Sequence, residues 1–176
     1  MEIEKSTNHY TMYKTALNQD ALVSLYNQFK DQMTELDLSK KFNQYSYKHS
    51  DLSNPQWLNL KIEDHAYLKT VINSFGIADI KTTINLSLLP AGFELANHTD
   101  IGRRTVLLIP IIGVNSPINI LNEIVYYNNN CLLLDSTIIH SVPTTDSDRV
   151  TLQFAFRQRY NSVVKKVNDY LINEGN

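Results

Sequence analysis

The length, composition and charge of this sequence are those of a single folded domain. Its 176 residues are enough to bury a sizeable core. Hydrophobic residues make up 43% and charged residues 19%, so the chain is globular rather than disordered. The net charge of -2 and the absence of any run of Lys or Arg give no support to a role in binding nucleic acids or other polyanions.

The single cysteine and the start of the chain indicate the cellular compartment in which the protein is expected. Cys131 has no second cysteine to pair with, which favours a reducing compartment, and its apolar neighbours indicate a buried small side chain. The start is too polar for a signal peptide, and no apolar run approaches the ~18 residues of a membrane span. We therefore expect a soluble cytoplasmic protein that does not contact a membrane.

Residues 1–79 are expected to form a helical and irregular N-terminal support for the rest of the domain. Residues 1–18 are typical of an irregular arm or an edge strand. Apolar residues at helical spacing predict a helix across about 20–35, and a second one across about 62–74. A strand and then a loop are expected within residues 36–59.

From residue 80 the apolar period changes to two, which is typical of strands. Short turns rich in Gly, Pro and Asn separate the apolar segments. Many short strands with close turns predict a mainly β core across 80–158, a jelly roll or small barrel, followed by a C-terminal helix in 159–176. The candidate strands are 81–89, 93–99, 104–111, 117–121, 123–128, 131–135, 138–142 and 149–157.

Three residues of this β region predict a metal site. His98 and Asp100 stand two positions apart, so both side chains reach the same face of a strand. His140 follows on a strand that can lie beside the first. Two imidazoles and one carboxylate leave open positions that suit non-haem Fe(II). His-x-Asp is common by chance and a lone histidine in an apolar strand is usually a core residue, but the order and strand context of the three favour a metal.

An anion site is predicted on the last strand. Arg149, Thr151 and Gln153 share one face, whereas the other face is apolar and requires a core. An arginine inside a barrel needs an anionic partner, because an unpaired buried charge costs several kcal/mol. A dicarboxylate ligand supplies one, and the Thr151 hydroxyl can join the same carboxylate. The alternative is a surface ion pair of Arg149 with Asp146 or Asp148.

These residues together resemble the pattern of the Fe(II)/2-oxoglutarate-dependent oxygenases. That pattern is His-x-Asp, a distant His, and Arg-x-Ser/Thr about ten residues later, and here it is met by His98-Thr99-Asp100, His140 and Arg149-Val150-Thr151. The segment 135–142 also resembles the family's stretch around the second histidine. The resemblance covers about residues 80–158.

Within that superfamily, Leu89-Pro90-Ala91-Gly92 and the strand that begins at Arg104 resemble the prolyl and aspartyl/asparaginyl hydroxylases. Asp100 departs from those aspartyl/asparaginyl hydroxylases that lack the carboxylate ligand. The resemblance implies a double-stranded β-helix (jelly-roll, cupin-like) fold. It also implies Fe(II) on His98, Asp100 and His140, with 2-oxoglutarate as a co-substrate whose far carboxylate meets Arg149 and Thr151.

The implied reaction uses O2 to hydroxylate an amino-acid side chain, in a protein, a peptide or free, and releases succinate and CO2. Two other functions stay open. One is a cupin-type metal enzyme with another co-substrate, and the other is a metal-free jelly-roll module that binds a sugar or peptide. A nucleic-acid demethylase is less favoured because the charge balance does not support it. The substrate and the oligomeric state are not predicted.

Other residues are candidates for the rim and wall of the cavity. Asn85 and Ser87 alternate with apolar residues and face either the cavity, where they contact co-substrate, or solvent. Arg103 and Arg104 follow the His-x-Asp motif and are candidates for binding a carboxylate of the substrate or the near end of 2-oxoglutarate. Arg104 is the better placed of the two because it opens a strand, although a surface role is equally open.

Aromatic and histidine residues elsewhere carry weaker signals. Tyr126 and Tyr127 are adjacent, so only one can point inward. Trp57 with the segment around Tyr45 and Tyr47 forms either a substrate lid or, by the simpler interpretation, part of the packing. The histidines without partners at ligand spacing are expected at the surface: His9, His49 and His65.

Overall fold

The structure is a computed structural model that describes residues 1–35 and 57–174. The strands are β1 (Glu2–Ser6), β2 (Tyr10–Lys14), β3 (Thr34–Glu35), β4 (Leu58–Ile62), β5 (Thr82–Leu89), β6 (Leu95–His98), β7 (Thr105–Ile112), β8 (Ile118–Ile120), β9 (Glu123–Val125), β10 (Cys131–Asp135), β11 (His140–Val142) and β12 (Arg149–Phe156). The helices are α1 (Gln19–Phe29), α2 (Ala66–Ser74) and α3 (Tyr160–Glu174). Within the described residues, no helix combines the length and apolar character needed to cross a membrane.

Two antiparallel sheets form the body of the domain. The larger has the order β1-β2-β10-β7-β12-β5-β4-β3 and the smaller has the order β6-β11-β8-β9. Apolar side chains from both sheets form one core cluster, with Val106 and Leu108 from β7 and Ile118 and Ile120 from β8. All eight strands predicted between residues 80 and 158 are present, and the predicted jelly-roll architecture is confirmed.

The larger sheet has a second core on its outer face, where the helices pack. Strand alternation sends Leu152 and Phe154 of β12 to this face, where they join Leu22 of α1, Leu68 of α2 and Val163 of α3 in one buried cluster. The inner face of β12 is thereby left to the polar side chains of the same strand. The helices therefore stabilise the sheet without entering the space between the two sheets.

The N-terminal region contributes more strand than the sequence predicts. Residues 1–18, expected as an irregular arm or an edge strand, contain a strand pair in which β1 is the edge of the sheet and β2 pairs with β10, so the edge-strand alternative is the one present. The helix expected across 20–35 ends at Phe29, and the one expected across 62–74 begins only at Ala66. Leu58–Ile62 instead form β4, because they pair with β5 in the sheet. The strand and most of the loop expected within 36–59 lie outside the described residues.

Candidate metal centre and anion site

The pairing of β6 with β11 brings the two histidines of the predicted triad together. His98 and His140 are cross-strand partners, and their ring centroids lie 4.2 Å apart. The Asp100 backbone N–H donates to the Ser136 carbonyl oxygen at 3.0 Å, which holds this residue beside them. The ligand atoms of His98, Asp100 and His140 all lie within 4.8 Å of one another. The three residues that the sequence separates are therefore assembled into one group.

Backbone carbonyl groups orient both imidazole rings. His98 Nδ1 lies 2.7 Å from the Ala96 carbonyl oxygen, and His140 Nδ1 lies 2.9 Å from the Ile138 carbonyl oxygen. A carbonyl oxygen only accepts, so each Nδ1 carries the proton and each Nε2 carries the lone pair. Metal-ligating histidines usually make such a contact through the ring nitrogen that does not bind the metal.

The electrostatics of the group favour ligand-competent protonation states. Burial lowers the pKa of His98 to about 3, assisted by the charge of His140. Burial also lowers the pKa of His140. For Asp100 burial acts to raise the pKa, but the charge and hydrogen bond of Arg103 together with the charges of the two histidines outweigh it and hold that pKa below its ordinary value. At neutral pH the site therefore offers two neutral imidazoles and one carboxylate, the donor set that a divalent cation requires.

Arg103 contacts the carboxylate of the triad directly. Its Nε lies 2.7 Å from Asp100 Oδ2, and its Nη2 donates to Asp100 Oδ1 at 2.9 Å. Its Nη1 donates to Gln153 Oε1 at 3.1 Å. Gly102 has a φ of 79°, which glycine adopts without strain, and this turn folds Arg103 back over Asp100.

The expectation that Arg104 is the better placed of the two arginines is corrected by the structure. Arg104 is exposed and lies in a surface depression with Asp135 and Arg159, outside the cavity of the triad. Its backbone N–H donates to the Phe156 carbonyl oxygen at 2.8 Å, so its main chain already follows the sheet. Arg103 points into the cavity instead, because the turn at Gly102 directs its side chain toward Asp100.

The predicted anion site lies on the inner face of β12. Arg149 is only 5% exposed, and within the described residues it forms no ion pair with a carboxylate. Its Nη1 donates to the Pro117 carbonyl oxygen at 2.9 Å, and its Nη2 donates to the Tyr127 hydroxyl at 2.5 Å. Thr151 is buried beside it and accepts a bond of 3.4 Å from Gln153 Nε2. The alternative of a surface ion pair for Arg149 is thus contradicted.

The triad and the anion site line one cavity, which has a volume of about 550 Å³ including its open mouth. Ser87 of β5 forms part of the wall, and its buried hydroxyl has no hydrogen-bond partner among the described residues. Asn85 lies on the same strand and is half-buried, but it is not among the residues that line the cavity. Trp57 also lines the wall and packs against Leu89 and Leu95, which agrees with the packing interpretation.

The weaker candidates fall outside the site, with one exception. Tyr127 is buried and holds Arg149, whereas Tyr126 is exposed. Burial raises the pKa of the Cys131 thiol to about 12, which agrees with the expected inert core role. His9 and His65 are half-buried and lie outside the metal cluster. Tyr45, Tyr47 and His49 lie outside the described residues.

Comparison with known proteins extends the fold assignment. No protein-family model and no curated protein matches the chain. A prolyl-4-hydroxylase from Pseudomonas putida has a similar structure, with 12% identity over 87% of this chain and 94% of its own and a TM-score of 0.63. A prolyl hydroxylase from Trichoplax adhaerens, in complex with a peptide fragment of the hypoxia inducible factor oxygen degradation domain, has 14% identity over 85% and 84% and a TM-score of 0.56.

A third similar structure performs a different reaction. The non-heme alpha-ketoglutarate-dependent carbocyclase SnoK of nogalamycin biosynthesis has 8% identity over 84% of this chain and 79% of its own, with a TM-score of 0.56. At identities this low the likeness concerns the fold alone. The resemblance to 2-oxoglutarate-dependent oxygenases predicted from the sequence is therefore confirmed at the level of fold.

Proposed function

We propose that the protein is an Fe(II)- and 2-oxoglutarate-dependent dioxygenase that hydroxylates an amino-acid side chain, with succinate and CO2 as co-products. One observation carries the proposal: two histidines and an aspartate with converging ligand atoms share a cavity with a buried arginine that has no carboxylate partner among the described residues. The donor set fits Fe(II), since imidazole and carboxylate bind it and leave positions open for a co-substrate and O2.

Five residues of the cavity have a defined task in this proposal. His98, Asp100 and His140 hold the iron, which supplies the redox chemistry that couples O2 and 2-oxoglutarate to hydroxylation. Arg149 binds the far carboxylate of 2-oxoglutarate, because two of its five N–H donors are already used and the rest remain available. Thr151 adds a hydroxyl donor. The buried walls exclude bulk water from the reacting groups.

The substrate class is proposed from one sequence segment and from the proteins of similar fold. The Leu89 to Gly92 stretch resembles the prolyl and aspartyl/asparaginyl hydroxylases, and two proteins of similar fold are prolyl hydroxylases, one of them bound to a peptide. We therefore propose an amino-acid side chain, in a peptide, in a protein or free, as the site of hydroxylation. A cupin-type enzyme with another co-substrate would need the triad but not Arg149, and a metal-free binding module would need neither.

Anaerobic titration with Fe(II) and then 2-oxoglutarate tests the cofactor part of the proposal. We expect a visible charge-transfer band that His98→Ala abolishes, because the variant lacks a ligand. Metal binding without a response to 2-oxoglutarate would instead favour the cupin-type enzyme. Carefully purified protein that binds no Fe(II) would favour the metal-free module.

A screen for succinate release tests the substrate class. Free amino acids and peptides are the test set, and nucleosides are the matched negative set. We expect slow release without substrate and faster release with one member of the test set. Stimulation by nucleosides alone would contradict the proposed substrate class while leaving the cofactors in place.

A further inference from the structure

A chain of hydrogen bonds connects the metal end of the cavity to the anion end. Arg103 contacts both oxygens of Asp100, at 2.7 Å through Nε and at 2.9 Å through Nη2. Arg103 Nη1 donates to Gln153 Oε1 at 3.1 Å, and Gln153 Nε2 donates to Thr151 Oγ1 at 3.4 Å. The triad residues and Thr151 already have tasks in the proposed reaction, whereas Arg103 and Gln153 do not.

The geometry of the arginine contact restricts how Asp100 can bind a cation. Two parallel N–H donors occupy the edge of the carboxylate, and that edge is where a metal would sit if it took both oxygens. Asp100 Oδ1 is the oxygen beside the histidines, 3.9 Å from His98 Nε2. A metal held between the three residues would therefore meet Asp100 at Oδ1, because Arg103 occupies the edge shared by both oxygens.

Gln153 gives the arginine a fixed position. The Arg103 side chain is 21% exposed and has many rotamers, so its ion pair alone would hold it weakly. Gln153 is buried on the long central strand β12, and its side-chain oxygen accepts the remaining bond from Arg103. The direction of the guanidinium group is thus set by the same strand that carries Arg149.

We propose that Arg103, held by Gln153, is a positioning residue that presents Asp100 to the metal through one oxygen and so preserves the open positions that the co-substrate requires. This inference rests on the proposed metal site. It assigns the contact a geometric role, because a lysine would supply the same charge without the two parallel donors. Charge and geometry can therefore be separated by substitution.

Titration of the purified protein with Co(II) alone, followed by its visible absorption, tests the inference without turnover. Arg103→Gln should raise the Kd for Co(II) about tenfold, the usual loss when a partner of a metal ligand is removed. The Co(II) spectrum should change as well, because the second carboxylate oxygen becomes available. Arg103→Lys should give the same changes, and the matched control Arg104→Gln should behave as wild type.

Gln153→Leu provides a second variant that leaves the ion pair intact. It should weaken Co(II) binding less than Arg103→Gln and shift the spectrum in the same direction. Circular dichroism of each metal-free variant verifies folding, and if Arg103→Gln does not fold, Arg103→Lys and Gln153→Leu carry the test.

Two outcomes separate this inference from the function on which it rests. Wild-type protein that binds no Co(II) would overturn both. The second outcome is that wild-type protein binds Co(II) and the folded Arg103 and Gln153 variants bind it equally or more tightly, with an unchanged spectrum. This result would overturn the positioning role alone. In that case Arg103 would only oppose the cation through its charge.

Discussion

The two faces of β12 are almost equally buried and differ completely in chemistry. Arg149, Thr151 and Gln153 on the inner face are 5–6% exposed. The outer face consists of Val150, Leu152, Phe154 and Phe156, each 0% exposed. Burial of apolar groups stabilises a fold, whereas burial of a guanidinium and an amide opposes it unless they are hydrogen-bonded. The hydrogen bonds of Arg149, Thr151 and Gln153 offset this cost, so the inner face can keep polar groups in the wall of the cavity while the outer face supplies apolar burial.

The largest loss of function is expected from substitution of His140, which lies on the smaller sheet and faces the inner side of β12. His140→Ala removes one of three ligands, so iron content and succinate formation should fall below detection, at least 1,000-fold in rate by the order of magnitude typical of essential groups. The thermal midpoint should stay near that of wild type. His65→Ala is the matched control outside the cavity, and turnover retained by His140→Ala would contradict the triad.

The outer face should respond in stability rather than in function. Phe154→Ala leaves a cavity in the core beneath the helices and should lower the free energy of unfolding by about 3–5 kcal/mol. Urea unfolding measures this loss. The Km for 2-oxoglutarate of the folded fraction should remain that of wild type, and a large change in that Km would mean that the two faces are not separable.

Arg149→Ala tests the anion end of the inner face. The apparent Km for 2-oxoglutarate should rise about 100-fold while iron binding is retained, since ~2.7 kcal/mol is a moderate value for a charged hydrogen-bonded contact. Tyr127→Phe removes one hydrogen bond that positions Arg149 but leaves the guanidinium in place, so it should raise the Km tenfold or less. Steady-state succinate release with varied 2-oxoglutarate provides both values. An unchanged Km in Arg149→Ala would place the anion site elsewhere.

The smallest expected effect is the pH dependence of the metal-free protein. His98 has its pKa lowered from 6.5 to about 3 in the folded state, so below pH 6.5 the unfolded chain binds a proton that the folded chain does not. The contribution of His98 to the free energy of unfolding is therefore fully present above pH 6.5 and is lost as the pH falls toward 3. At pH 5 the loss is about 2 kcal/mol. Urea unfolding at pH 7 and pH 5 measures it. His98→Gln should reduce the dependence and leave the part due to His140, whose pKa burial also lowers, and an equal slope in that variant would contradict the contribution of His98.

Much of this arrangement follows from strand periodicity. The alternation of polar and apolar residues in β12 predicts which side chains face the cavity, and the spacing of His98 and Asp100 predicts that they lie on one side. The partnership of His140 with His98 depends on long-range strand pairing, which periodicity alone does not specify. That His140 joins His98 was predicted from the order of the motif residues, which resembles that of the oxygenase family.

The remaining features depend on local geometry or on distant partners. The inward direction of Arg103 depends on a left-handed turn at Gly102, so regular alternation from Arg104 points to the wrong arginine. Either tyrosine of the 126–127 pair satisfies the sequence pattern, and only the position of Arg149 selects Tyr127. β2 and β4 become strands because β10 and β5 offer them partners.

The pairing of β2 with β10 has a practical consequence for handling this protein. β10 reads Cys131-Leu132-Leu133-Leu134-Asp135, and β2 covers the backbone edge that β7 does not. Removal of the first 14 residues would leave an apolar strand with exposed backbone donors and acceptors, which templates aggregation. Such a shortened chain should precipitate or form large assemblies in light scattering, although every residue that lines the cavity of the triad is still present.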